Sequence, residues 1–409
     1  MLPLLILVGV RGVSAERALP APCTEYFVPC NISCHNVATL GPMPRPAMAS
    51  TVRDIEELQA LTANNYFGEL VDVSYVARME LVRGRAAAYL GCMENETVLF
   101  PSTTVALNTV VEGLVSSGFL QQGDHVVTSN QEHQGGLAAW QHLAARGFID
   151  LDVVALPIPD NRTVQAIVDQ FASSISARTK VFAFSHVLTT TGMTLPVKDI
   201  ATMARARGVR VVIDGAQALG TIVNFTALGV DVYVTSAHKW LLAPTGNGIC
   251  CIRQAFQPSV QATALDGGLG VYTRSAGTRG AFTTLGLGHA LEYLDEFGAA
   301  NIAQYNAGLA AEAWAQLSLL RLQMLAPAPR AGDAPIVAFA LPTGLAAEVV
   351  GAALLVQYGV VVKMTGRALY PEEWPEGAPA QAIRLTFHLF NSRDGLARVV
   401  AAIKAVCHL

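Results

Sequence analysis

Between about residues 97 and 255, short apolar strands alternate with amphipathic helices, and this alternation constrains the fold more than any other feature of the chain. The predicted strands are TVLFPS, HVVTSN, DLDVVALP, KVFAFSHV, VRVVID, VDVYVTS and NGICCIR, with helical segments such as TVALNTVVEGLV and VKDIATMARARG between them. Strands connected in this way form mostly parallel sheets that helices cover on both faces. The sequence therefore predicts an α/β domain that binds its ligand at the carboxyl ends of the strands.

After about residue 290 the pattern changes to that of a smaller α+β module. Helices are followed by the strand APIVAFALP, the helix GLAAEVVGAALLVQYG, the strands VVVKM and AIRLTFHLF, and the closing helix DGLARVVAAIKAV. We therefore predict an N-terminal segment over residues 16–50, a large domain over 51–290 and a small C-terminal domain over 291–409, with a cleft between the two domains.

The composition excludes several classes of partner. The chain has 409 residues, of which 52% are hydrophobic, so it can bury a sizeable core. Its formal net charge of −4 provides no basic excess for nucleic acid or for an anionic membrane surface. No stretch reaches the roughly 20 uninterrupted apolar residues that cross a bilayer. We expect neither a nucleic-acid partner nor a membrane span.

The N-terminal region leaves the cellular compartment open. Residues 1–15, MLPLLILVGVRGVSA, end in a small-residue pattern typical of signal-peptidase cleavage after Ala15, but no basic residue precedes the apolar run and Arg11 interrupts its end. Both a cleaved secretory signal and a short apolar lead-in to the fold fit this segment, so the predicted localisation is secretory in the first case and cytoplasmic in the second. Four N-x-[ST] sequons favour the secretory pathway. They begin at Asn31, Asn95, Asn161 and Asn224.

The seven cysteines show no metal-ligand spacing, so no metal site is expected. Cys23, Cys30 and Cys34 lie close enough in sequence for one disulfide near the N-terminus of a secreted chain. The odd number of cysteines argues against a disulfide scaffold, as does the adjacent pair Cys250 and Cys251, which lies in a predicted core strand.

Polar side chains end two neighbouring predicted strands. Asp214 ends VRVVID, and Lys239 follows VDVYVTS, beside Ser236 and His238. Taken singly, Asp214 fits a helix cap or a turn, and Lys239 fits a side chain that extends to solvent. Together they fit pyridoxal 5′-phosphate (PLP) chemistry, in which a lysine forms a Schiff base with the aldehyde and a carboxylate keeps the pyridine nitrogen protonated.

The motifs VVIDGAQALG and TSAHKWLLAPTGNGIC resemble those of the class V aminotransferases. These are fold-type I PLP enzymes and include cysteine desulfurases, kynureninases and isopenicillin N epimerase-like proteins. The resemblance extends from NVATLGPMPRP to AIRLTFHLFNSRDGLARVV. It implies a large domain with a mostly parallel, helix-flanked sheet, a small C-terminal α+β domain, and a PLP cofactor. A nucleotide-binding Rossmann protein also fits the alternation, but the first strand is not followed by a G-x-G-x-x-G turn.

The resemblance assigns the cofactor contacts residue by residue. Lys239 is the implied Schiff-base lysine, Asp214 the pyridinium partner, and His133 the aromatic residue stacked over the ring. The implied contacts near the ring hydroxyl are Thr189 and Gln217. The implied phosphate ligands are Ser102, Thr103 and Thr104, which precede a helix, together with Ser236 and His238.

Further matches concern the substrate and a partner subunit. The pair Gly277 and Thr278 resembles a Gly-Thr pair whose threonine reaches the phosphate of the partner's cofactor, which implies a homodimer. Arg384 resembles the arginine that clamps the substrate α-carboxylate, although a surface ion pair on an edge strand is an alternative. Asn36, at the start of NVATLGPMPRP, is expected to bind substrate at the entrance.

The sequence departs from cysteine desulfurases at two places. Their nucleophilic cysteine lies on a loop just after a strand of the small domain, whereas the corresponding stretch VVVKMTGRALYPEEW contains no cysteine. Where they carry an asparagine near the cofactor hydroxyl, this chain has threonine at positions 189–191. This replacement and the NVATLGPMPRP stretch look more like the isopenicillin N epimerase-like branch.

The sequence therefore predicts an epimerase-like or lyase-like PLP enzyme that acts at Cα of an amino acid. An aminotransferase, or a cysteine desulfurase or selenocysteine lyase type of activity without the nucleophilic cysteine, is the alternative. A non-catalytic PLP-fold binding protein is a third reading, and the presence together of Asp214, His238, Lys239 and Arg384 argues against it.

Overall fold

A computed structural model describes residues 16–67, 74–159, 161–263 and 280–409, so the candidate signal peptide over residues 1–15 lies outside the described residues. In chain order the strands are β1 (Ser33–Cys34), β2 (Thr97–Phe100), β3 (Asp124–Ser129), β4 (Ile149–Val154), β5 (Thr179–Ser185), β6 (Arg210–Asp214), β7 (Val232–Ser236), β8 (Gly248–Ile252), β9 (Ile336–Ala340), β10 (Val360–Val361), β11 (Lys363–Thr365) and β12 (Ala382–Thr386). The helices are α1 (Arg45–Leu61), α2 (Ala63–Phe67), α3 (Tyr75–Leu90), α4 (Thr103–Ser116), α5 (Gln134–Ala145), α6 (Val164–Ser173), α7 (Val197–Arg205), α8 (Phe225–Leu228), α9 (Ala281–Asp295), α10 (Ala299–Leu319), α11 (Ala347–Tyr358) and α12 (Arg393–Val406).

The large sheet has seven strands in the order β2-β8-β7-β6-β5-β3-β4. Strands β3 to β7 pair in parallel, whereas β8 runs antiparallel to both of its neighbours, β7 and β2. The predicted mostly parallel sheet is therefore confirmed. Because β6 and β7 are adjacent and parallel, their last residues, Asp214 and Ser236, lie at the same edge of the sheet.

Apolar layers cover both faces of this sheet. Along β5, Phe182 and Phe184 belong to one buried cluster, while Val181 and Ala183 belong to the other, as the two-residue period of a strand requires. Burial of one large apolar side chain stabilises the folded state by about 1.5–3 kcal/mol relative to leaving that side chain exposed. The edge that carries Asp214 and Ser236 therefore rests on a closely packed support.

Side-chain caps fix where several helices begin. The Ser102 hydroxyl accepts a hydrogen bond from the Val105 amide at 3.2 Å at the start of α4, and Ser392 caps α12 in the same way. Such caps satisfy amide groups that have no partner within the helix. The cap on α4 holds residues 102–104 beside the carboxyl ends of β6 and β7.

The C-terminal part contains a three-stranded antiparallel sheet in the order β11-β12-β9, which confirms the predicted α+β module. Helices α10, α11 and α12 bury apolar side chains against this sheet. Helix α9, which crosses the predicted domain boundary near residue 290, packs on α1 and α3. The exact boundary stays a prediction.

Two predicted strands of this module are shorter than expected. Residues 360–364 were predicted as one strand, but β10 pairs with β1 while β11 pairs with β12, so the chain changes sheets at Val362. The strand predicted over residues 382–390 ends at Thr386. Beyond it, the His388 amide donates to Asn391 Oδ1 at 2.8 Å and the Asn391 amide donates to the His388 carbonyl at 2.8 Å, which closes a turn.

The N-terminal segment packs against the small module. Strand β1 pairs in parallel with β10, and the Thr386 amide donates to the His35 carbonyl at 3.0 Å. Cys23 and Cys30 form the disulfide expected near the N-terminus, and Cys34 is free.

A second disulfide corrects the expectation that Cys251 is simply a core residue. Cys251 on β8 is bonded to Cys92, which lies just after α3 and 159 residues away in the sequence. Cys250 next to it is buried and free, because successive strand residues face opposite sides of the sheet. No local sequence pattern could have paired Cys92 with Cys251.

Two further observations concern glycosylation sites and membrane spans. The asparagines of all four sequons are exposed to solvent. Among the described helices, none combines the length and the apolar character needed to cross a membrane.

Candidate active site

A cavity lies at the carboxyl ends of β6 and β7, between the large sheet and the small module. Its wall combines the N-termini of α4 and α5, the turns after β6 and β7, and strands β11 and β12. The lining residues are Ala38, Thr39, Ser102, Thr103, Thr104, His133, Thr189, Asp214, Ala216, Gln217, Ser236, His238, Lys239, Lys363, Thr365, Tyr370, Glu373 and Arg384. Of the site residues predicted from the sequence, the cavity brings together all that the structure describes except Asn36.

Lys239 lies in the turn that follows β7. Burial lowers the pKa of Lys239 to about 8; Asp214 acts in the opposite direction, and Arg384 lowers the pKa further. At pH 7 about a tenth of the amine is therefore neutral, far more than for a lysine in water. A neutral amine is the form that attacks a carbonyl carbon or accepts a proton.

The Asp214 carboxylate is held in one orientation at the end of β6. Its Oδ1 accepts a hydrogen bond from the Ala216 amide at 2.9 Å. On the other side, α5 approaches so closely that a Cβ on Gly136 would lie 2.7 Å from Oδ2 of Asp214. An acid fixed in this way suits the pyridinium partner that the sequence predicted.

Hydroxyl groups and a helix N-terminus form an anion cradle near Lys239. The hydroxyls of Thr103 and Ser236 lie 2.6 Å apart, at the N-terminus of α4. The Nδ1 atom of His238 lies 3.2 Å from the Asn247 carbonyl oxygen and therefore donates to it. Free amides and the helix dipole favour a phosphate at such a position.

Arg384 is a buried cation without a carboxylate partner among the described residues. The residue is only 4% exposed, so the alternative of a surface ion pair is wrong. One Nη atom donates to the carbonyl and the hydroxyl of Thr189 at 2.7 and 2.8 Å, the other donates to Thr39 Oγ1 at 3.3 Å, and Nε has no partner. Burial lowers the pKa of Arg384 to about 10, so the side chain stays charged at neutral pH. A buried charge of this kind is costly unless an anionic ligand pairs with it.

Gln217 links the turn after β6 to the residues around Arg384. Its Nε2 donates to the Ala38 carbonyl at 2.9 Å and to Thr189 Oγ1 at 3.3 Å, and its Oε1 accepts from the Trp240 indole at 3.2 Å. Gln217 and Thr189 therefore form one network that also holds Arg384.

His133 caps the start of α5. Its Nδ1 accepts a hydrogen bond from the Gly135 amide at 3.0 Å, and its Nε2 lies 3.6 Å from Glu373 Oε1. The ring lies on the cavity wall, where the sequence placed an aromatic group over the cofactor.

Two predicted positions have a different outcome. Asn36 does not line the cavity; its Oδ1 accepts a hydrogen bond from Thr39 Oγ1 at 2.7 Å, so Asn36 positions Thr39, which does line it. Gly277 and Thr278 lie outside the described residues, and the homodimer inferred from them stays a prediction.

Sequence reasoning missed several residues of the site. Lys363, Thr365, Tyr370 and Glu373 line the cavity from the small module, and only the resemblance of this stretch to the cysteine-bearing loop of desulfurases pointed to it. Glu132 was also missed, although it adjoins His133. It is buried behind Asp214 and accepts hydrogen bonds from the hydroxyls of Ser129 and Ser185. Burial raises the pKa of Glu132 to about 7.

The residues present fit PLP. The cavity offers an amine with a lowered pKa, a fixed carboxylate and an anion cradle, which match the aldehyde, the pyridine nitrogen and the phosphate of that cofactor. The fold and the site thus define a fold-type I PLP enzyme.

The chain belongs to the aminotransferase class-V family, whose model matches residues 51–399. A cysteine desulfurase of Cronobacter sakazakii is 32% identical over 343 residues, which are 80% of this chain and 82% of that protein. The structure of a cysteine desulfurase from Thermococcus onnurineus superposes with a TM-score of 0.85 at 22% identity, over 97% of this chain and all of that one. A variant of C-DES with glycine covalently linked to its PLP cofactor superposes with a TM-score of 0.79 at 20% identity, over 94% and 99% of the two chains.

These findings confirm the family, the fold type and the PLP cofactor predicted from the sequence motifs. The protein is a PLP-dependent enzyme of a family that acts on amino acids.

Proposed function

We propose that this enzyme is a lyase that expels a sulfur group from Cβ of an amino acid without transferring the sulfur to a protein cysteine. The cysteine desulfurase relatives, at 30–32% identity, support a sulfur amino acid as substrate and favour the desulfurase-type alternative over the epimerase-like prediction. The observation that carries the proposal is the chemistry of the cavity wall. The segment after β11 contributes Tyr370 and Glu373, and none of the cavity-lining residues that the structure describes is a cysteine.

Binding begins with the substrate carboxylate. Arg384 is already held by Thr189 and Thr39, and its Nε is free to donate. A planar guanidinium binds a carboxylate with two parallel hydrogen bonds and fixes the orientation of Cα.

When bound, PLP supplies an aldehyde that joins to an amine and a ring that accepts electron density from Cα. The Lys239 amine, with its lowered pKa, accepts the proton from Cα. The Asp214 carboxylate holds a proton on the pyridine nitrogen, which increases the capacity of the ring to accept electrons.

Because no protein thiol attacks the sulfur in this proposal, the reaction proceeds by β-elimination. The electron pair of the Cα–H bond becomes the second bond between Cα and Cβ, and the electron pair of the Cβ–S bond leaves with the sulfur. The released enamine then hydrolyses to a 2-keto acid and ammonia. A nucleophilic cysteine would instead remove the sulfur and leave alanine.

Product analysis tests this proposal. Holoenzyme is incubated with L-cysteine and with S-substituted cysteines, and pyruvate, ammonia, alanine and D-amino acids are measured. We expect pyruvate and ammonia in equal amounts and little alanine. Accumulation of alanine with sulfur on the protein, of a D-amino acid, or of an aminated cofactor would contradict a lyase and indicate desulfuration, epimerisation or transamination.

Borohydride reduction provides a separate check on the site. We expect reduction to fix the cofactor on Lys239 and to fix none in Lys239→Ala. Lys198→Ala, which alters an exposed lysine on α7, is the matched control and should be labelled like the wild type.

A further inference from the structure

A second, small cavity lies behind Asp214, between the large sheet and helices α4 and α5. Its polar lining residues are Thr128, Glu132 and Asp214, and the other lining side chains are apolar, among them Leu107 and Trp140. The space holds about one water molecule. Asp214 lines both this cavity and the cofactor cavity, so a group bound here acts directly on the pyridinium partner.

Strand pairing brings two of these polar groups to one end of the sheet. Strand β5 pairs in parallel with both β3 and β6, so Thr128 and Asp214 lie near the carboxyl ends of strands that are two places apart. Side chains alternate between the faces of a strand, so Thr128 shares its face with Val126 and Asp214 shares its face with Val212. Both valines belong to the apolar cluster under α4 and α5. Thr128 and Asp214 therefore face the same layer.

Glu132 closes this polar group from the turn after β3. It is 5% exposed, and its two carboxyl oxygens accept hydrogen bonds from the hydroxyls of Ser129 and Ser185. Ser185 is the register partner of Asp214 on the neighbouring strand. Burial raises the pKa of Glu132, and the nearby Asp214 carboxylate raises it further. A carboxylate has about four acceptor positions, so the two serines leave Glu132 able to bind a further group.

Thr128 supplies an independent sign of a ligand. Its hydroxyl is buried, with the residue 1% exposed, and has no hydrogen-bond partner among the described residues. A buried hydroxyl without a partner costs free energy, whereas a buried water usually bonds two to four such groups. The Thr128 hydroxyl, the Glu132 carboxyl and the Asp214 carboxylate provide three partners around one small space.

We infer that this cavity binds one water molecule, and that Thr128 and Glu132 are positioning residues that act on Asp214 through that water. The water donates to Asp214 whether Glu132 is protonated or ionised, because an ionised Asp214 only accepts. The Ala216 amide donates to Oδ1 of Asp214 at 2.9 Å. The amide and the water together fix the direction in which the carboxylate meets the ring nitrogen of the cofactor.

Two forms of the cofactor test this inference. PLP offers Asp214 a ring nitrogen, whereas 1-deaza-PLP has a CH group in its place and keeps the aldehyde and the phosphate. We expect Thr128→Val and Glu132→Leu each to bind PLP about fivefold more weakly than wild type, because a hydrogen bond that orients Asp214 is lost. Binding of 1-deaza-PLP should stay within about twofold of wild type. Calorimetric titration of the apo-enzyme measures both affinities.

A conservative variant and two matched controls accompany these variants. Glu132→Gln keeps a donor and an acceptor at the cavity, so we expect it to bind PLP within about twofold of wild type. Thr202→Val and Glu112→Leu alter exposed residues of α7 and α4 and should bind both cofactors as wild type does. Equal weakening with the two cofactors in Thr128→Val and Glu132→Leu, or unchanged PLP affinity in both, would overturn the positioning role.

The water itself is tested by a crystal structure of the wild-type holoenzyme at a resolution that shows ordered solvent. We expect one water within hydrogen-bond distance of Thr128 Oγ1 and of the carboxyl groups of Glu132 and Asp214. An empty cavity would overturn the site. Neither experiment measures turnover, so the water site and the lyase proposal stand or fall separately.

Discussion

Gly136 of α5 lies directly against the carboxylate of Asp214: a Cβ at residue 136 would stand 2.7 Å from Oδ2 and 3.3 Å from a methyl group of Leu107. Gly136→Ala must therefore displace the carboxylate or shift the helix. We expect PLP to bind at least tenfold more weakly to this variant, which a titration of apo-enzyme followed by near-visible absorbance measures. Gly308→Ala, where nothing lies within 4 Å of the added Cβ, should bind PLP as the wild type does.

The lowered pKa of Lys239 predicts how the cofactor loads. Only the neutral amine attacks the aldehyde, so the rate at which apo-enzyme gains PLP absorbance should rise with pH and level off above about 8. Stopped-flow mixing at a series of pH values measures this rate. A rate that continues to rise toward pH 10 would mean that Lys239 titrates as an ordinary lysine.

Arg384 should control the affinity for substrate rather than the binding of the cofactor. Removing one partner of a buried charge pair costs about 2–5 kcal/mol. We therefore expect Arg384→Met to raise KM for the amino acid by roughly 100-fold, with PLP absorbance retained, and Arg384→Lys to recover part of the loss. Arg367→Met provides the exposed control. An unchanged KM in Arg384→Met would exclude a role in carboxylate binding.

Glu132 makes the stability of the apo-enzyme depend on pH. Burial keeps this carboxyl protonated up to about pH 7 in the native state, whereas the unfolded chain releases the proton near its ordinary value of 4.5. The native state therefore loses stability relative to the unfolded state as the pH rises through this window.

Glu132→Gln lacks that titration. We expect its free energy of unfolding, relative to wild type, to be higher at pH 8 than at pH 5, by up to about 3 kcal/mol. Denaturant unfolding at both pH values measures the difference. Glu112→Gln, at an exposed position of α4, should have the same free energy of unfolding relative to wild type at both pH values. If Glu132→Gln also shows no difference between the two pH values, the carboxyl of Glu132 is not held protonated by burial.

The two disulfides set the number of reactive thiols. Protein folded under oxidising conditions, then denatured without reductant, should show three free thiols, those of Cys34, Cys250 and Cys407. After reduction all seven should react. The variant Cys251→Ser should show four, because it frees Cys92. Five thiols in the unreduced wild type would mean that one disulfide is missing.

Much of the large domain follows from local pattern. The strands of the main sheet are short apolar runs, most of them separated by helices, so β2 to β8 were predicted to within about two residues or less at most ends. Asp214 and Lys239 were found because each ends or follows such a run, and parallel neighbouring strands bring their ends together. In the small module the prediction of a single strand over residues 360–364 was wrong, because the apolar residues there do not reveal that β10 and β11 pair with different strands.

By itself, the sequence determined the α/β class, the family and the cofactor, and it predicted residues to hold that cofactor, because these depend on short motifs and on the periods of strands and helices. Tertiary structure decided which distant side chains share a space. Lys363 faces the cavity because β11 pairs with β12, Asn36 supports Thr39 instead of lining the cavity, and Cys92 meets Cys251 across 159 residues. Such contacts depend on how separate elements pack, and no local pattern encodes them.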